Sequence, residues 1–219
     1  MNTIIKTSAI MLLTCVLHWT ARAQDNYESA MAAALQTLAE ALQPADFTAL
    51  GNRFEQIGNT ATDQWTPLYY AAYCQLVAGI SQQNADEKDR FFEKALNLVE
   101  SAEKRQADNS EIYALKGYTQ FMQMSVDPQN RLDLISEAEA ALGKAMQLDP
   151  SNPRPYFIKG QNTFYTPEFF GGGAKAAKPL LEQAKEKFDT FKRTEKFAPN
   201  WGKEQCAYLL QQAANTDTQ

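Results

Sequence analysis

Histidine is almost absent from this chain: a single one, His18, occurs in 219 residues. It lies in an N-terminal stretch that contains a basic residue, an apolar run over 9–17 and the tripeptide Ala-Arg-Ala ending at Ala23. This pattern predicts a cleavable secretory signal peptide over 1–23, which is too short to span a membrane. Once it is removed, the protein from Gln24 onward has no imidazole for general-base catalysis or metal binding.

Cysteine is also scarce, with three residues. Cys15 follows Leu-Leu-Thr, a weak match to a bacterial lipidation motif, so a lipoprotein is the less favoured alternative to cleavage after Ala23. An oxidising compartment permits a disulfide between Cys74 and Cys206. Both occur in apolar helical stretches that the repeat pattern described below places at opposite ends, so we expect two buried free thiols.

Positive charge is in deficit, with 21 basic and 26 acidic residues. The predicted leader holds two of the basic residues and none of the acidic ones, so its removal changes the net charge from −5 to −7. Such acidity disfavours nucleic acid as a partner, and no later apolar run reaches membrane-spanning length. The Ala-x-Ala-Gln junction resembles those of exported proteins from Bacteroidetes-type bacteria, which predicts a periplasmic or secreted protein.

Catalytic motifs are missing as well. The stretch from Gly171 to Lys175 lacks the Gly-Lys-Ser/Thr order and the preceding strand of a phosphate-binding loop, and we interpret it as a flexible turn. Neither Gly-x-Ser-x-Gly nor Ser-x-x-Lys occurs. Glu137 and Glu139 are two residues apart and therefore diverge around a helix instead of forming an acid/base pair. We expect no enzymatic activity, no catalytic residues, no metal ligands and no cofactor.

Strand signals are nearly absent, whereas apolar residues recur three and four apart, which is the helical spacing. Ser110 before Glu111 and Asn152 before Pro153 are typical of helix starts. The spacing predicts helices over 26–43, 46–57, 65–79, 86–106, 110–124, 131–148, 153–165, 174–197 and 201–213. Residues 215–219 are expected to form a disordered tail.

The helices repeat. Tyr69, Tyr113 and Tyr156 occupy equivalent positions 44 and 43 residues apart, and a glycine follows the last two of them at Gly117 and Gly160. The partner helices carry pairs of alanines seven residues apart, at Ala95/Ala102, Ala138/Ala145 and Ala177/Ala184. Small residues at these points allow two antiparallel helices to approach closely. Because no single hairpin buries its apolar face alone, the hairpins are expected to stack.

At these residues, and at the Lys-Ala-Met-Gln-Leu-Asp-Pro sequence that ends at Pro150, the chain resembles the tetratricopeptide repeat family. The resemblance implies an all-α, right-handed α-solenoid in one domain over 24–214. It implies hairpins over about 26–57, 65–106, 110–148 and 153–197, followed by a C-terminal capping helix over 201–213. Two features depart from the family pattern: the repeat spacing is longer, and Tyr73 replaces the glycine of the first clear repeat.

In such an array the first helix of each hairpin lines a concave surface, and aromatic residues dominate the inward positions. The predicted partner-binding residues are Tyr70, Tyr118, Phe121, Arg154, Phe157, Gln161, Phe164 and Tyr165. An interpretation of several of these as core between hairpins is equally open. The lysine/asparagine clamp with which some relatives hold a peptide carboxylate is missing from these positions.

These features predict a non-enzymatic periplasmic interaction module, an adaptor or scaffold that holds an envelope protein or an extended peptide in an aromatic groove. The alternative is a binding protein for a small molecule or a glycan that uses the same aromatic residues as stacking platforms. The identity of the protein or peptide partner and the oligomeric state stay open.

The segment 166–173 places Phe169 and Phe170 between a proline and three glycines. The glycines raise the conformational entropy of the free loop, so ordering the loop costs free energy. Phenylalanines that stayed exposed to solvent would not offset this cost. We therefore favour a plug in which both side chains tuck onto the last hairpin, over a mobile lip that borders the groove.

Replacing Ala138 or Ala145 by leucine should overpack the hairpin and destabilise the protein by about 1–3 kcal/mol. The midpoint of chemical denaturation measures this effect. An unchanged midpoint for both variants would show that the repeat register is misassigned.

Overall fold

The computed structural model describes residues 24–216, and within that range it contains helices and no strands. The all-α prediction is therefore confirmed. The expected signal peptide, with Cys15 and His18, lies outside the described residues, as do residues 217–219.

The α-helices follow one another with short connections. Residues 24–40 form α1, and the others are α2 (Pro44–Thr60), α3 (Thr66–Ile80), α4 (Ala85–Arg105), α5 (Ser110–Val126), α6 (Asp133–Leu148), α7 (Pro153–Tyr165), α8 (Ala174–Thr190) and α9 (Lys203–Thr216). A 3₁₀ turn, η1 (Glu168–Phe170), lies between α7 and α8. Of the helices in the described range, none has the length and apolar character needed to cross a membrane.

Asparagine side chains begin three of these helices. The side-chain oxygens of Asn84, Asn109 and Asn152 accept hydrogen bonds from backbone N–H groups in the first turns of α4, α5 and α7. These bonds satisfy donors that a helix end otherwise leaves unpaired. Asn152 is the cap that the sequence indicates, whereas α5 is capped by Asn109 and not by Ser110. The hydroxyl of Ser110 instead donates to the carbonyl of Ala145.

Sequential helices pack in neighbouring pairs, and α3/α4, α5/α6 and α7/α8 are the three predicted clear hairpins. The first helices also contact one another, α3 with α5 and α5 with α7, so neighbouring hairpins pack together in chain order. The right-handed solenoid form of the array stays a prediction.

Glycine and alanine bring the two helices of each hairpin close together, as the repeat pattern predicts. A Cβ atom on Gly117 would lie 2.8 Å from the carbonyl oxygen of Ala138, and one on Gly160 would lie 2.8 Å from Leu181 Cδ2. Ala138 and Ala145 are both buried. The register that places small residues at the helix crossings is therefore the observed one.

The end of α8 differs from the prediction. The helix was expected to continue to residue 197, but it ends at Thr190, and 191–202 run as a non-helical crossing segment to α9. The buried stripe of α8 passes through Leu181 and Ala184 and continues to the half-buried Phe188 and Phe191, after which the positions on that face are Lys192 and Glu195. Lys192 and Glu195 cannot extend the apolar face, so little is gained by continuing the helix beyond Phe191.

The last helix also runs longer than expected. It reaches Thr216, so residues 215 and 216 belong to α9 and not to the predicted tail. Its buried face is formed by Cys206, Leu209 and Ala213, and the helix packs against α8.

The crossing segment lies over one face of α3, α5 and α7, the face that carries Tyr70, Glu111 and Arg154. We call it the inner face. Polar side chains hold the segment there. Arg154 donates from Nη2 to the carbonyl of Pro199 at 2.5 Å and from Nη1 to Glu111 Oε1 at 2.7 Å. The Tyr70 hydroxyl donates to the carbonyl of Ala198. Arg154 is 2% exposed, so this ion pair is shielded from water.

Trp201 also holds the crossing segment against α3, α5 and α7. Its indole Nε1 donates to the Tyr69 hydroxyl at 2.9 Å, and its ring stacks on Tyr73 with centroids 4.9 Å apart. Tyr118 and Phe157 lie on its other sides, each with ring centroids 6.4 Å from that of Trp201. One side chain therefore joins the C-terminal part of the chain to all three first helices.

Both described cysteines are buried free thiols, as predicted. Burial raises the pKa of the Cys206 thiol to about 11 and moves the pKa of Cys74 upward as well. Neither group is therefore a reactive thiolate near neutral pH.

Trp201→Ala should cost about 3–5 kcal/mol of stability, because it removes a large buried ring that contacts three helices. Tyr208→Ala is the matched control, since Tyr208 is an aromatic residue of α9 that is 57% exposed. Urea denaturation followed by circular dichroism compares the two. Equal urea midpoints for the two variants would contradict the role of Trp201 in holding the crossing segment against the three helices.

Glu111→Gln should cost about 3–5 kcal/mol, because it leaves the buried Arg154 guanidinium without its counter-charge. The control is Glu139→Gln, which breaks the solvated Lys159–Glu139 pair and should cost less than about 1 kcal/mol. Urea midpoints measure both effects. A cost for Glu111→Gln no larger than that of the control would show that the ion pair does not anchor the crossing segment.

Candidate ligand-binding site

Three of the predicted partner-binding residues lie beneath the crossing segment. Tyr70, Arg154 and Phe157 are exposed by only 1–3%, and each contacts the chain itself through Ala198, Pro199 or Trp201. In this structure they are core residues, which is the alternative that the sequence left open. The N-terminal half of the inner face is therefore filled.

The other predicted residues lie toward the C-terminal ends of α5 and α7 and in the turn that follows α7. We call this region the aromatic end; it comprises Tyr118, Phe121, Gln161, Phe164, Tyr165, Phe169 and Phe170. Its members range from 8% exposed at Tyr118 to 92% exposed at Phe169.

Helices α5 and α7 meet at the base of the aromatic end. Gln161 Nε2 donates a hydrogen bond to the Tyr118 hydroxyl at 2.5 Å. Phe121 and Phe164 follow these two residues by three positions, which places them about one turn further along the same helix faces. Both rings are half-buried. Each of these two packed helices therefore carries a partly accessible aromatic ring about one turn beyond the Tyr118–Gln161 contact.

The Tyr118 phenol lies in an apolar setting. Burial raises its pKa to about 12, the hydrogen bond from Gln161 opposes this effect, and the nearby Tyr165 hydroxyl adds to it. Tyr118 is therefore neutral at physiological pH.

Tyr165 ends α7 and projects into solvent, with 64% of its surface exposed. Its ring contacts Phe164 edge-on, with centroids 5.2 Å apart and planes at 79°. A flat molecule that stacks on Phe164 would therefore meet Tyr165 from the side.

The turn after α7 presents two more aromatic rings. Phe169 is 92% exposed and Phe170 is 74% exposed, so neither packs onto the last hairpin. The plug that the sequence favoured is therefore wrong. The two rings contact each other edge-on, with centroids 5.2 Å apart. We call this pair the lip.

The glycines beside the lip are needed for the backbone conformation of the turn, and the turn is not a flexible linker. Gly171 and Gly173 have φ angles of +82° and +91°, which other residues rarely adopt. A Cβ on Gly172 would lie 2.1 Å from the carbonyl oxygen of Thr166. The N–H of Gly173 also donates to the carbonyl of Thr163, which ties the turn back to α7. A hydrogen-bonded turn therefore holds the lip outward.

The aromatic end can bind a flat, largely apolar molecule by stacking and burial. It offers few charges, and residues 24–216 contain no cluster of three or more His, Cys, Asp or Glu side chains that could hold a metal ion. A polar surface depression of about 550 Å³ lies elsewhere, between α4 and the start of α6. The Arg131–Asp89 ion pair lies in its wall, so it suits an apolar ligand poorly.

The crossing segment was missed by sequence reasoning, which assigned 191–197 to a helix and Trp201 to the start of a cap. A signal was available: Phe191, Phe197 and Trp201 are aromatic residues in an otherwise charged stretch that contains Pro199. Large aromatics between charged residues, at spacings that fit no helix face, indicate a segment that packs onto another surface.

No protein-family model matches the chain, so the tetratricopeptide resemblance rests on the residues quoted for it. No curated protein matches it.

A solved structure does match: the HusA haemophore from Porphyromonas gingivalis. The two share 30% sequence identity with a TM-score of 0.75, and the match covers 88% of this chain and 94% of HusA. HusA is an all-helical protein from a Bacteroidetes bacterium, the group suggested by the leader junction. Identity at this level over nearly the whole of HusA shows that the chain belongs to the HusA haemophore family.

Proposed function

We propose that this protein is an exported, non-enzymatic binding protein for haem or a closely related flat tetrapyrrole, and that the aromatic end holds the ligand. The observation that carries the proposal is the grouping of exposed aromatic rings. Four aromatic residues in the described range are exposed, and three of them, Tyr165, Phe169 and Phe170, fall within six residues of each other. Large exposed apolar groups that cluster in this way mark binding sites.

Similarity to a haemophore supports the choice of ligand. A tetrapyrrole is broad, flat and apolar over most of its area, so it can cover several aromatic rings at once. Phe121 and Phe164 supply half-buried rings on two helices, and the lip supplies exposed rings in the turn that directly follows α7. Apolar area removed from water contributes about 25 cal/mol per Å².

The carboxylate groups of haem need a polar surrounding. Two charged residues flank the lip in sequence: Glu168 directly precedes it, and the exposed Lys175 lies two residues beyond the last glycine of the turn. Haem carboxylates that project past the lip can stay in water and interact with this lysine. Residues 24–216 contain no histidine, so binding does not depend on an imidazole.

The inner face argues against the scaffold interpretation. An extended peptide would have to lie where the crossing segment already makes hydrogen bonds to Tyr70 and Arg154. The small-ligand alternative needs no such displacement, because the aromatic end is accessible as it stands. A glycan could also stack on these rings, and the titration below distinguishes it.

The test is a titration of the purified protein, lacking residues 1–23 and without a histidine tag, with ferric haem, iron-free protoporphyrin and an oligosaccharide. The ring centroids of Trp201 and Tyr118 lie 6.4 Å apart, and Trp201 and Trp65 are the tryptophans from residue 24 onward, so quenching of tryptophan fluorescence reports binding. We expect saturable, one-to-one quenching by both tetrapyrroles and none by the oligosaccharide. Quenching that fails to saturate with either tetrapyrrole would refute the proposal.

Phe169→Ala/Phe170→Ala should weaken haem binding by about tenfold or more, because it removes the exposed half of the stacking surface. Unfolding free energy should change by less than about 0.5 kcal/mol, since both side chains lie in solvent. Leu42→Ala is the control: this residue is 84% exposed in the α1–α2 connection, and its loss should affect neither quantity. Undiminished affinity in the double variant would remove the lip from the site.

A further inference from the structure

The guanidinium of Arg154 has an unused hydrogen-bond donor. Nη1 donates to Glu111 and Nη2 donates to the carbonyl of Pro199 in the crossing segment, whereas Nε has no partner among residues 24–216. Arg154 is 2% exposed, so this donor is shielded from bulk water. A buried donor without a partner is costly, and it marks a position where a further acceptor would be stabilised.

The two donors on the side of the crossing segment form the edge of arginine that binds carboxylates. The Nε–H bond and one N–H bond of Nη2 lie on the same side of the planar guanidinium and match the two oxygens of a carboxylate. The single oxygen of Pro199 accepts from Nη2 at 2.5 Å and leaves Nε without an acceptor. A carboxylate in place of this carbonyl would satisfy both donors.

An aromatic slot adjoins this edge of Arg154, and Trp201 fills it. The indole stacks on Tyr73 with ring planes 25° apart and lies nearly parallel to Tyr118, at 27°. Its ring centroid is 5.4 Å from Arg154 Cζ. The crossing segment therefore places a flat ring and a carbonyl oxygen where a flat aromatic carboxylate could place its own ring and its carboxylate.

Tyr118 links this slot to the aromatic end. It contacts Trp201 and also accepts the hydrogen bond from Gln161 at the base of the aromatic end. First contact of a ligand at the aromatic end displaces nothing. Movement of the same ligand along the inner face toward Tyr73 requires the indole to leave.

The crossing segment is attached in a way that permits its release. Within the described range, no backbone-to-backbone hydrogen bond joins 192–201 to a helix, and side chains make the attachments. Residues 192–196 are all exposed. Gly202, with a φ angle of +103°, separates the segment from α9. Release of the segment therefore breaks side-chain contacts without breaking a helix.

We propose that the crossing segment is a displaceable strap over an inner position of the ligand site. In this position a carboxylate of the tetrapyrrole replaces the Pro199 carbonyl on Arg154, and the macrocycle replaces the Trp201 ring beside Tyr73 and Tyr118. The inference rests on the proposed function and adds a second position to that site. No covalent bond forms or breaks.

The strap competes with the ligand for the inner position, so a weaker strap should give tighter binding. The apparent affinity of a site that is open in only a fraction of the molecules is reduced by that fraction. Trp201→Phe keeps a ring but removes the hydrogen bond to Tyr69 and part of the stacked area. It should increase the open fraction, so affinity for iron-free protoporphyrin should rise about tenfold.

Tyr208→Phe is the matched control, because Tyr208 is an exposed aromatic residue of α9. Its affinity for iron-free protoporphyrin should stay within about twofold of that of the parent protein. Loss of a ring that merely supports the fold, or that itself holds the ligand, would not make binding tighter. An increase in affinity for Trp201→Phe is therefore specific to a competing strap.

The experiment uses the purified protein, lacking residues 1–23 and without a histidine tag, with iron-free protoporphyrin and its dimethyl ester as probes. The ester has the same macrocycle and no free carboxylate. Porphyrin absorption follows binding to the parent and to both variants. Hydrogen–deuterium exchange with mass spectrometry follows the amides of 191–203 in the parent at saturation with each probe, and peptides from α4 are the internal reference.

We expect protoporphyrin to increase exchange over 191–203 and the dimethyl ester to leave it unchanged, with α4 unaffected by both. A carboxylate held by Lys175 alone would favour protoporphyrin over its ester without releasing 191–203. Because the exchange measurement uses the parent protein, it tests the strap even if Trp201→Phe folds poorly.

Each of three results would overturn the strap while the proposed function stands. These are unchanged exchange over 191–203 with protoporphyrin bound, equal release of the segment by protoporphyrin and its ester, and an affinity of folded Trp201→Phe no higher than that of the parent. If the parent binds no tetrapyrrole, the proposed function itself fails and the inner position fails with it.

Discussion

The Trp201 side chain, with the crossing segment that carries it, determines which parts of this fold are accessible. Its hydrogen bond to Tyr69 spans 132 residues of sequence and joins the end of the chain to the first clear hairpin. A stacked array of hairpins otherwise holds only neighbouring hairpins together. Here a long-range contact stabilises the array as a unit, so loss of the indole should affect more than one hairpin.

That contact also explains why the aromatic residues divide into two groups. Tyr70 and Phe157 are buried beneath the crossing segment and form part of the core. Phe164 is only half-buried and Tyr165 is exposed, because the crossing segment does not cover them. The buried Arg154–Glu111 pair adds specificity, because the guanidinium must find both a carboxylate and the carbonyl of Pro199. Burial raises the pKa of Glu111 while Arg154 lowers it, and the ion pair holds only while the carboxylate is ionised.

The lip depends on a different constraint, the backbone of a short glycine turn. Two exposed phenylalanines are costly in water, and the positive φ angles of Gly171 and Gly173 fix them there instead of allowing them to fold inward. A surface prepared in this way loses little conformational entropy when a flat ligand stacks on it. The tetrapyrrole proposal depends on this accessible surface.

The sequence alone determined the helical class, most helix bounds and the hairpin register, because these depend on local spacing: apolar residues three and four apart, and small residues where helices cross. Gly117 against Ala138 shows how directly such a pattern translates into a contact. It also indicated the aromatic residues of the site. It could not separate Phe157, which is buried, from Phe169, which is exposed, since both read as large apolar groups near the same groove. Only the tertiary structure decided this, because burial depends on what covers a side chain, and the covering segment is distant in sequence.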